Sequence, residues 1–464
     1  MSSFFNFLLY LTGWPLALVL FCGGIYFTLR TKFLQFSMFG ESIRVISEKP
    51  EKENSISSFG ALMISTASRV GTGNIIGVST AICAGGPGAV FWMWVTALLG
   101  GASAFVESTL AQIYKKKDPA GGSYGGPAYY IEAALHSRVL AIIFSIALIF
   151  TYGVGYNMLA SYNLQSSFAG FGFYNAKTPA IIGAIIAVLT LYVLLGGGKR
   201  IAKITGVLVP IMGVLYVLLA LIALVMNIGN IPAMFKMIFQ NAFDFKAIFG
   251  GFLGSCMMLG FKRGLYSNEA GIGSAPNAAA AADVSHPAKQ GMVQMLSVFI
   301  DTLLLCTATA FMCLSSGVSP DAELAGAPFV QKALSTMFGA AGPVFIAVAM
   351  LLFAFTTLLG NFYYIENCFA YILGKKPTAL FMNTVRVIGA ILIFLGAILS
   401  FGFAWDLADI AQCILAFINI PVCMILGGVA FRALADYKKQ RKAGKNPVFK
   451  AADISLKEKV DFWN

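Results

Sequence analysis

A long apolar segment of this chain is interrupted by the glycine-rich polar stretch Ala67-Ser-Arg-Val-Gly-Thr-Gly-Asn-Ile-Ile-Gly77. A second apolar segment is interrupted by Gly264-Leu-Tyr-Ser-Asn-Glu-Ala-Gly-Ile-Gly-Ser-Ala-Pro276. In a lipid bilayer, backbone that leaves helical geometry is tolerated only where it is buried in protein or lines a cavity. A matched pair of interrupted helices is therefore typical of a transporter, and it indicates where the binding site lies.

The composition predicts an all-α protein that crosses the membrane many times. Of the 464 residues, 58% are hydrophobic and only 11% are charged, whereas a soluble domain carries roughly 25% charged residues. The mean hydropathy is +0.80, and the apolar runs are longer than the strands of a membrane barrel. The net charge of +12 belongs to loops on one side of the membrane. We therefore expect membrane lipid, and no nucleic acid, as a partner.

Hydropathy predicts eleven transmembrane helices, because about 20 apolar residues are needed to cross the hydrocarbon layer. The spans are 12–29, 58–84, 88–114, 137–168, 178–196, 201–227, 247–284, 288–317, 341–373, 378–402 and 408–433. Lysine and arginine, among them Lys52, follow the odd-numbered spans, whereas the opposite loops carry only Lys177, Lys236, Lys246 and Lys332. The positive-inside rule then predicts an N-terminus outside and a C-terminus in the cytoplasm.

Ten of the spans divide into two sets of five, each starting with an interrupted helix. An odd number of spans reverses the orientation, so the pattern predicts a 5+5 inverted repeat preceded by one extra N-terminal helix. The predicted units are residues 1–57 (N-terminal helix and cytoplasmic loop), 58–227 (first repeat, broken at 70–74), 247–433 (second repeat, broken at 267–276) and 434–464 (basic cytoplasmic tail). We expect the tail to act as a topology signal near anionic lipid and not to fold as a domain.

The first interruption combines glycines with polar residues. Gly71 and Gly73 allow the backbone to leave the helix without a Cβ penalty, and the freed amides of 72–74 can face an anion. Freed carbonyls near Ala67 and Val70 can ligate a hard cation. A zwitterionic amino acid with a co-transported sodium ion satisfies both demands. The alternative is a glycine seam for close helix packing, which does not require a polar sequence.

Neutral side chains supply further polar groups at both interruptions. Asn74 can place its carbonyl oxygen beside an ion and its amide beside a substrate carboxylate. At the second interruption, Ser267, Asn268 and Ser274 offer neutral oxygens. Tyr266 either covers the apolar face of a substrate or packs against the protein, and the residue types favour neither.

The ninth span carries Phe355-Thr-Thr-Leu-Leu-Gly-Asn361 in the middle of the membrane. The hydroxyls of Thr356 and Thr357 either bond back to their own helix or ligate sodium opposite the freed carbonyls. Asn361 lies one turn after Thr357 on the same face, and its amide is costly in lipid unless it is paired or hydrated. This span is the expected third wall of the site.

Charged residues inside the spans are functional candidates. Arg69 and Arg263 each precede an interruption, and an ion pair between Arg69 and a carboxylate is either a gate or a static strut. Glu269 and Asp301 are the stronger candidates for coupling. Glu107 lies near the basic end of its span, and we expect it at the membrane interface.

Five motifs together resemble the alanine or glycine:cation symporter family over residues 10–435. The motifs are Arg69-Val-Gly-Thr-Gly-Asn-Ile75, Gly86-Pro-Gly-Ala-Val-Phe-Trp-Met-Trp94, Gly122-Ser-Tyr-Gly-Gly-Pro-Ala-Tyr-Tyr-Ile131, Lys262-Arg-Gly-Leu-Tyr-Ser-Asn-Glu-Ala-Gly271 with Gly273-Ser-Ala-Pro276, and Phe355-Thr-Thr357. The resemblance implies a leucine-transporter-like fold and sodium-coupled import of a small neutral amino acid, such as alanine or glycine. It places the protein in the plasma (inner) membrane of a prokaryote, with sodium as coupling ion, no organic cofactor and no enzymatic activity.

The resemblance also implies roles for individual residues. Thr72 and Gly73 would face the substrate carboxylate, and Asn74 would help to hold one sodium ion. The other sodium site would comprise the carbonyls of Ala67 and Val70 and the hydroxyls of Thr356 and Thr357. The substrate-binding candidates are Gly71, Thr72, Gly73, Asn74, Tyr266, Asn268 and Asn361, and the gating or coupling candidates are Arg69, Glu269 and Asp301.

Asn361 departs from the family pattern. Many relatives carry a tryptophan at this position, in the pattern Thr-Thr-x-x-Gly-Trp. Asparagine shortens that wall of the pocket and adds a donor and an acceptor. The hypothesis is that this protein accepts a larger or polar substrate, glutamine or asparagine among them, at some cost to alanine affinity.

Sodium-driven symport by alternating access is the predicted mechanism. The alternative is proton coupling through Glu269 or Asp301. An ion channel and an intramembrane enzyme are the least favoured classes. The chain has no pore-filter motif, and its two histidines, His136 and His286, lie in or beside expected cytoplasmic loops.

Overall fold

The structure, a computed structural model, describes residues 2–50, 55–118, 122–244 and 255–463. The regular secondary structure of this part is helical apart from a short antiparallel hairpin, β1 (Lys116–Lys117) and β2 (Ser123–Tyr124), and an isolated bridge between Ile56 and Ala282. Lys52, Lys246 and the predicted start of the seventh span at residue 247 lie outside the described residues.

The α-helices of the described part are numbered in chain order. They are α1 Ser2–Leu11, α2 Trp14–Arg30, α3 Leu34–Ser37, α4 Phe39–Ile46, α5 Ser58–Arg69, α6 Ile76–Gly85, α7 Ala89–Ile113, α8 Pro127–Leu135, α9 Arg138–Phe150, α10 Asn157–Ser166, α11 Thr178–Leu194, α12 Gly197–Met226, α13 Ile231–Ala242, α14 Cys256–Asn268, α15 Pro276–Ala279, α16 Pro287–Val298, α17 Thr307–Ser315, α18 Ala327–Phe338, α19 Ala341–Leu373, α20 Ala379–Ala397 and α21 Phe401–Lys442. The π-helical segment Thr151–Tyr156 joins α9 to α10, and the π-helical segment Phe299–Cys306 joins α16 to α17. Such widened turns often occur at functional positions.

Eight helices of the described part are long and apolar enough to cross a membrane. They are Phe4–Arg30, Ala89–Ile113, Arg138–Ser166, Lys203–Met226, Pro287–Ser315, Ala341–Leu373, Ala379–Ala397 and Phe401–Lys442. Each of them coincides with a predicted span. The other predicted spans, 58–84, 178–196 and 247–284, contain shorter helices, and two of these spans are the interrupted ones. The chain is a multi-pass helical membrane protein.

The first interrupted helix stops and restarts around its glycines. It consists of α5, which ends at Arg69, and α6, which begins at Ile76. Between them Gly71 is extended and Thr72–Asn74 form a single 3-10 turn. The side chain of Asn74 closes this turn, because its Oδ1 accepts a 2.8 Å hydrogen bond from the backbone N–H of Gly71.

The second interruption begins at Glu269, two residues later than predicted, because α14 continues through Gly264 to Asn268 and the first left-handed residue is Glu269. Glu269 has a positive φ of 54°, and Gly271 and Gly273 follow with φ of 90° and 83°. Glycine adopts such left-handed geometry at little cost. The chain then resumes a helix at Pro276, but α15 is only four residues long.

Helix α5 lies directly against the middle of α19 at Gly360. A Cβ atom on Gly360 would lie 2.7 Å from the backbone nitrogen of Ser68 and 3.2 Å from the carbonyl carbon of Ala67. Glycine is the residue that allows two helix backbones to approach so closely. The contact brings Thr357 beside Gly71, where a Cβ atom would collide with the threonine hydroxyl.

The C-terminal part of the chain packs against the helices. Helix α21 extends to Lys442, beyond the predicted end of the last span at 433. The following residues fold back over the ends of α7 and α16, where Phe449 and Trp463 are only 3% and 7% exposed. This packing could not be predicted from the sequence of the tail, because its few large apolar residues are scattered among many lysines.

We expect Gly360→Ala to lower the thermal unfolding temperature of the purified protein by several degrees. The new methyl group overlaps the backbone of α5, and overpacking of this kind costs about 1–3 kcal/mol. The matched control is Gly213→Ala in α12, where a Cβ atom would meet nothing within 4 Å. Equal unfolding temperatures for the two variants would contradict the proposed contact.

Candidate functional site

The side chain of Asn74 connects the first interruption to two other helical segments. Its Oδ1 is occupied by the Gly71 amide, and its Nδ2 donates to Asp301 Oδ1 at 2.7 Å and to Ser267 Oγ at 3.1 Å. Asp301 lies in the π-helical segment after α16, and Ser267 lies in the last turn of α14. One carboxamide therefore holds together three of the segments expected to form the site.

Asp301 is the centre of an oxygen-rich cluster. Besides Asn74, the hydroxyls of Ser267 and Thr302 donate to its Oδ2 at 2.8 and 2.7 Å. The carboxylate is fully buried. Thr309 adds a hydroxyl that donates to the carbonyl of Asn74 at 2.6 Å. Carboxylate, hydroxyl and carbonyl oxygens are the groups that hard cations prefer.

A second buried cluster surrounds Ser68, at the end of α5. The Ser68 hydroxyl lies 2.7 Å from Asn361 Oδ1 and 3.0 Å from Glu269 Oε1. Asn361 Nδ2 donates to Asn157 Oδ1 at 2.8 Å, and Ser274 donates to Glu269 Oε2 at 2.7 Å. Because a serine has one hydroxyl hydrogen, Ser68 donates to only one of its two neighbours at a time.

The two threonines of α19 have different surroundings. The hydroxyl of Thr356 donates back to the carbonyls of Leu352 and Phe353 at 3.0 and 3.1 Å. The hydroxyl of Thr357 is buried beside Gly71 and has no hydrogen-bond partner among the described residues. A buried polar atom without a partner is costly, so the Thr357 oxygen fits a position that receives an ion.

Arg69 is buried at the end of α5 without a carboxylate partner in the described part of the chain. Its Nη1 donates to the backbone carbonyl and to Oε1 of Gln294, at 3.3 and 3.4 Å. Its Nε and Nη2 have no hydrogen-bond partner among the same residues. An ion pair between Arg69 and a carboxylate, predicted as either a gate or a static strut, is not formed within the described part of the chain.

An aromatic layer covers the first interruption on the side of α14. The hydroxyl of Tyr266 lies 3.1 Å from Thr72 Oγ1, and Asn163 Nδ2 also donates to Thr72 Oγ1 at 3.1 Å. The Tyr266 ring meets the rings of Tyr156 and Trp405 edge to face, with centroids 4.9 and 5.0 Å apart. Tyr266 thus packs against the protein in this structure, and its alternative role of covering the apolar face of a substrate stays a prediction.

A buried ion pair lies next to this aromatic layer. Arg263 forms two hydrogen bonds with Asp409, at 3.0 and 3.1 Å. The Arg263 guanidinium also lies 3.8 Å from the centroid of the Trp405 ring, which is the geometry of a cation–π contact. Sequence reasoning noted Arg263 but missed Asp409 and Trp405. The available signal was an aspartate inside a predicted span, 408–433.

Asn268 has a local role in this structure. Its Oδ1 accepts a 3.0 Å hydrogen bond from the backbone N–H of Ala270, so it forms an Asx turn directly after α14. A Cβ atom on Gly100 of α7 would lie 3.9 Å from Asn268 Oδ1. The Asn268 side chain therefore faces α7 in this structure.

Glu107, which we expected at the membrane interface, lies inside the protein and contacts the second interruption. The side chain is fully buried, and its Oε2 accepts from Gly273 N at 3.1 Å and from Asn419 Nδ2 at 2.7 Å. Its Oε1 lies 3.4 Å from Gly271 N. Glu107 thus binds the backbone amides that the second interruption leaves without helical partners.

These features define a class of protein. Two helices that are interrupted in mid-span, face each other and share buried polar clusters form the binding region of a secondary membrane transporter. Comparison with known proteins gives the family. The profile of the sodium:alanine symporter family matches residues 2–451, and the chain belongs to this family, whose members are transporters and not enzymes.

Individual relatives support the assignment. The chain is 43% identical to the amino-acid carrier protein AlsT of Bacillus subtilis, covering 100% of this chain and 98% of the relative. It is 42% identical to the probable sodium/glutamine symporter GlnT of the same organism, covering 97% and 93%. The structure of MhsT in complex with L-phenylalanine superposes with a TM-score of 0.57 at 14% identity, covering 87% of this chain and 92% of that one. The two proteins share the leucine-transporter-like fold.

We expect Glu107→Gln to destabilise the protein more than a matched substitution elsewhere. Glutamine has one acceptor oxygen in place of two, so at least one of the N–H donors at the second interruption loses its partner, at a cost of about 1–3 kcal/mol. The control is Glu132→Gln, since Glu132 accepts a hydrogen bond from the hydroxyl of Tyr371 at a half-buried position. Thermal aggregation followed by size-exclusion chromatography measures the difference, and a Glu107 variant as stable as the control would refute the capping role.

Proposed function

We propose that this protein is a sodium-coupled symporter that imports a small neutral amino acid by alternating access. The observation that carries the proposal is the pairing of the first interruption with the unpartnered hydroxyl of Thr357, in a chain of the sodium:alanine symporter family. Alanine and glycine are the first candidate substrates. Glutamine and asparagine are the second, supported by the similarity to GlnT.

We propose eleven transmembrane helices, one N-terminal helix followed by a 5+5 inverted repeat, in the plasma (inner) membrane of a prokaryote. Helical structure in the region of every predicted span supports this arrangement. The asymmetry of lysine and arginine between the loops supports an N-terminus outside and a C-terminus in the cytoplasm.

The substrate carboxylate would bind at the first interruption. The amides of Thr72 and Gly73 precede α6, whose N-terminal end is positive, and Gly71 allows this turn to lie directly against Thr357. Tyr266 and Asn163 hold the Thr72 hydroxyl from two directions, so they would fix the orientation of this turn. Asn268, the last residue of α14, would act on the substrate through the position of that helix.

Sodium would bind between α5 and α19. The carbonyls of Ala67 and Val70 end the helical ladder of α5, and the Thr357 hydroxyl faces the same interruption. Thr356 would contribute only after its hydroxyl leaves the carbonyls of its own helix. Because these oxygens come from two helices, a bound cation would draw the helices together.

A second cation position would lie at the Asn74 cluster. Ser267 and Asp301 supply hydroxyl and carboxylate oxygens, and Asn74 would add the second lone pair of its Oδ1, which already accepts from the Gly71 amide. Each sodium ion that moves inward gains roughly 2.3 kcal/mol per 100 mV of membrane potential. Arg69 and Glu269 lie at the ends of the two interruptions and are the remaining candidates for coupling ion binding to helix movement.

We expect uptake by proteoliposomes to require an inward sodium gradient. Radiolabelled alanine and glutamine are offered in sodium buffer and in sodium-free choline buffer, with and without an inward proton gradient. Uptake should occur only with sodium, because the hard-cation ligands are neutral oxygens near a carboxylate. Undiminished uptake in choline with a proton gradient would instead establish proton coupling through Glu269 or Asp301.

The two neighbouring threonines provide a matched pair of variants. Thr357→Val should raise the sodium concentration for half-maximal uptake about tenfold or more, because it replaces a candidate ligand oxygen by a methyl group. Thr356→Val, which removes a hydroxyl that is already bonded to its own helix, should change this value less than about twofold. Equal effects of the two variants would exclude the proposed sodium position.

Asn361 is proposed to widen the substrate range. Its carboxamide is engaged by Ser68 and Asn157, but an amide has two hydrogens and two lone pairs. It therefore retains one donor and one acceptor for the side chain of a polar substrate. A tryptophan in the same position would fill that space and offer no acceptor.

We expect Asn361→Trp to shift the preference towards alanine. In competition uptake, the concentration of glutamine needed to inhibit should rise about tenfold relative to that of alanine, because a polar side chain loses both its space and its partner. Asn361→Leu is the control that removes the amide without adding an aromatic wall. An unchanged alanine-to-glutamine ratio in the tryptophan variant would contradict the role of this residue.

A further inference from the structure

Residues 445–463 form a strap across one end of the helix bundle, here named the C-terminal strap. It is attached to α21 by Gln440, whose side chain donates to Val448 O at 2.8 Å and accepts from Val448 N at 2.9 Å. Arg432, also in α21, donates to the carbonyl of Ile454 at 3.0 Å. Gln440 and Arg432 therefore anchor the strap to α21.

The strap then binds the segment between α15 and α16, residues 280–286. The backbone N–H of Phe449 donates to the Ser285 carbonyl at 2.9 Å, and the Ser285 hydroxyl donates to the Pro447 carbonyl at 2.8 Å. At the start of α16, the buried ammonium of Lys289 donates to Asn446 at 2.9 Å. This segment directly follows the second interrupted helix.

His286 fills the space beneath the strap. Burial, and then the nearby charge of Lys289, lower the pKa of His286 to about 3, so the imidazole is neutral at cytoplasmic pH. Its Nδ1 accepts from Ala288 N at 3.1 Å, and the other ring nitrogen lies 3.2 Å from Asp436 Oδ2. The ring packs against Phe449 with centroids 5.1 Å apart.

The distal part of the strap binds the end of α7. The Trp463 indole donates to the Gln112 carbonyl at 2.8 Å. The Lys115 ammonium lies 4.7 Å from the Phe462 ring centroid and 5.0 Å from that of Trp463. The same ammonium donates to the Ala282 carbonyl at 3.0 Å. One lysine thus joins the strap, α7 and the end of the second interrupted helix.

Residues 280–286, which the strap binds, also contact the first interrupted helix and the residues just before it. The backbone N–H of Asp283 donates to the Ile56 carbonyl, two residues before α5, at 2.8 Å. Ala61 of α5 packs against Ala282 and Val284. From its base on α21, the strap therefore holds the ends of both interrupted helices at this side of the bundle.

We propose that the C-terminal strap is a clasp that keeps this end of the transport path closed, and that it must loosen before the interrupted helices separate from α21 there. The inference rests on the alternating-access function proposed above. A carrier opens to one side by moving its interrupted helices against their neighbours. That motion, at this end, breaks the contacts of the strap with Ser285, Lys289 and Gln112.

The test measures opening directly, in the purified full-length protein. The substitution Ala61→Cys places a cysteine on α5, where residues 282–284 cover it. This cysteine reacts with a water-soluble maleimide only when α5 and residues 282–284 separate. Adding Trp463→Ala should raise the labelling rate about tenfold, as expected for loss of a buried aromatic anchor. The matched control is Val448→Ala, because the Val448 side chain is 54% exposed on the same strap. The chain without the Ala61 substitution gives the background of the native cysteines.

A reversible lock provides the second measurement. Lys116 and Asp461 form an ion pair at 3.2 Å, so Lys116→Cys with Asp461→Cys can be joined by a short bifunctional thiol reagent that a reductant cleaves. Joining them should lower uptake in proteoliposomes at least about fivefold and leave sodium-dependent binding intact, because only the opening step is blocked. Reduction should restore uptake, and Lys116→Cys alone should show no effect.

Two results would overturn the clasp. One is a labelling rate for Trp463→Ala within twofold of that for Val448→Ala. The other is uptake that is unaffected by the cross-link between Lys116→Cys and Asp461→Cys. This second result tests the clasp even if Trp463→Ala does not fold. If the unsubstituted protein shows no sodium-dependent uptake, the proposed function is refuted. The clasp is then still tested by the labelling comparison, because labelling does not depend on the coupling ion.

Discussion

A helix that is interrupted inside a membrane leaves backbone amides and carbonyls without partners, and no water is present to bind them. The architecture of this protein depends on how that demand is met. At each interruption a buried side-chain oxygen accepts from the freed amides: Asn74 at the first and Glu107 at the second. The remaining polar residues of the site are arranged around these two acceptors.

The two acceptors have different mechanical consequences. Asn74 belongs to the turn that it closes, so the first interruption carries its own cap, and its ties to Ser267 and Asp301 can change without loss of that cap. Glu107 belongs to α7 and is joined to α21 through Asn419. Movement of the second interruption away from α7 therefore breaks the hydrogen bonds of Glu107 to the amides of Gly271 and Gly273.

Features that depend on local chemistry could be predicted from the sequence. Glycine and polar residues within apolar segments located both interruptions, and hydropathy located the long helices. Pairings between distant residues could not be predicted. Arg263 was visible as a charge in a span, but its partner Asp409 is 146 positions away. Thr356 and Thr357 are identical in type, and only the rotation of α19 separates them. The burial of Glu107 depends on α14 and α21 covering a helix end that looked interfacial.

The single hydroxyl hydrogen of Ser68 has a thermodynamic consequence. When it is directed to Asn361, Glu269 loses a donor at the second interruption; when it is directed to Glu269, the Asn361 oxygen is free for another partner. A ligand that donates to the Asn361 oxygen competes there with Ser68 and therefore favours the hydrogen bond from Ser68 to Glu269. By reciprocity, any state of the second interruption that strengthens the bond to Glu269 tightens the binding of that ligand by the same factor. One shared proton is thus sufficient to link the choice of substrate to the conformation of the opposite helix.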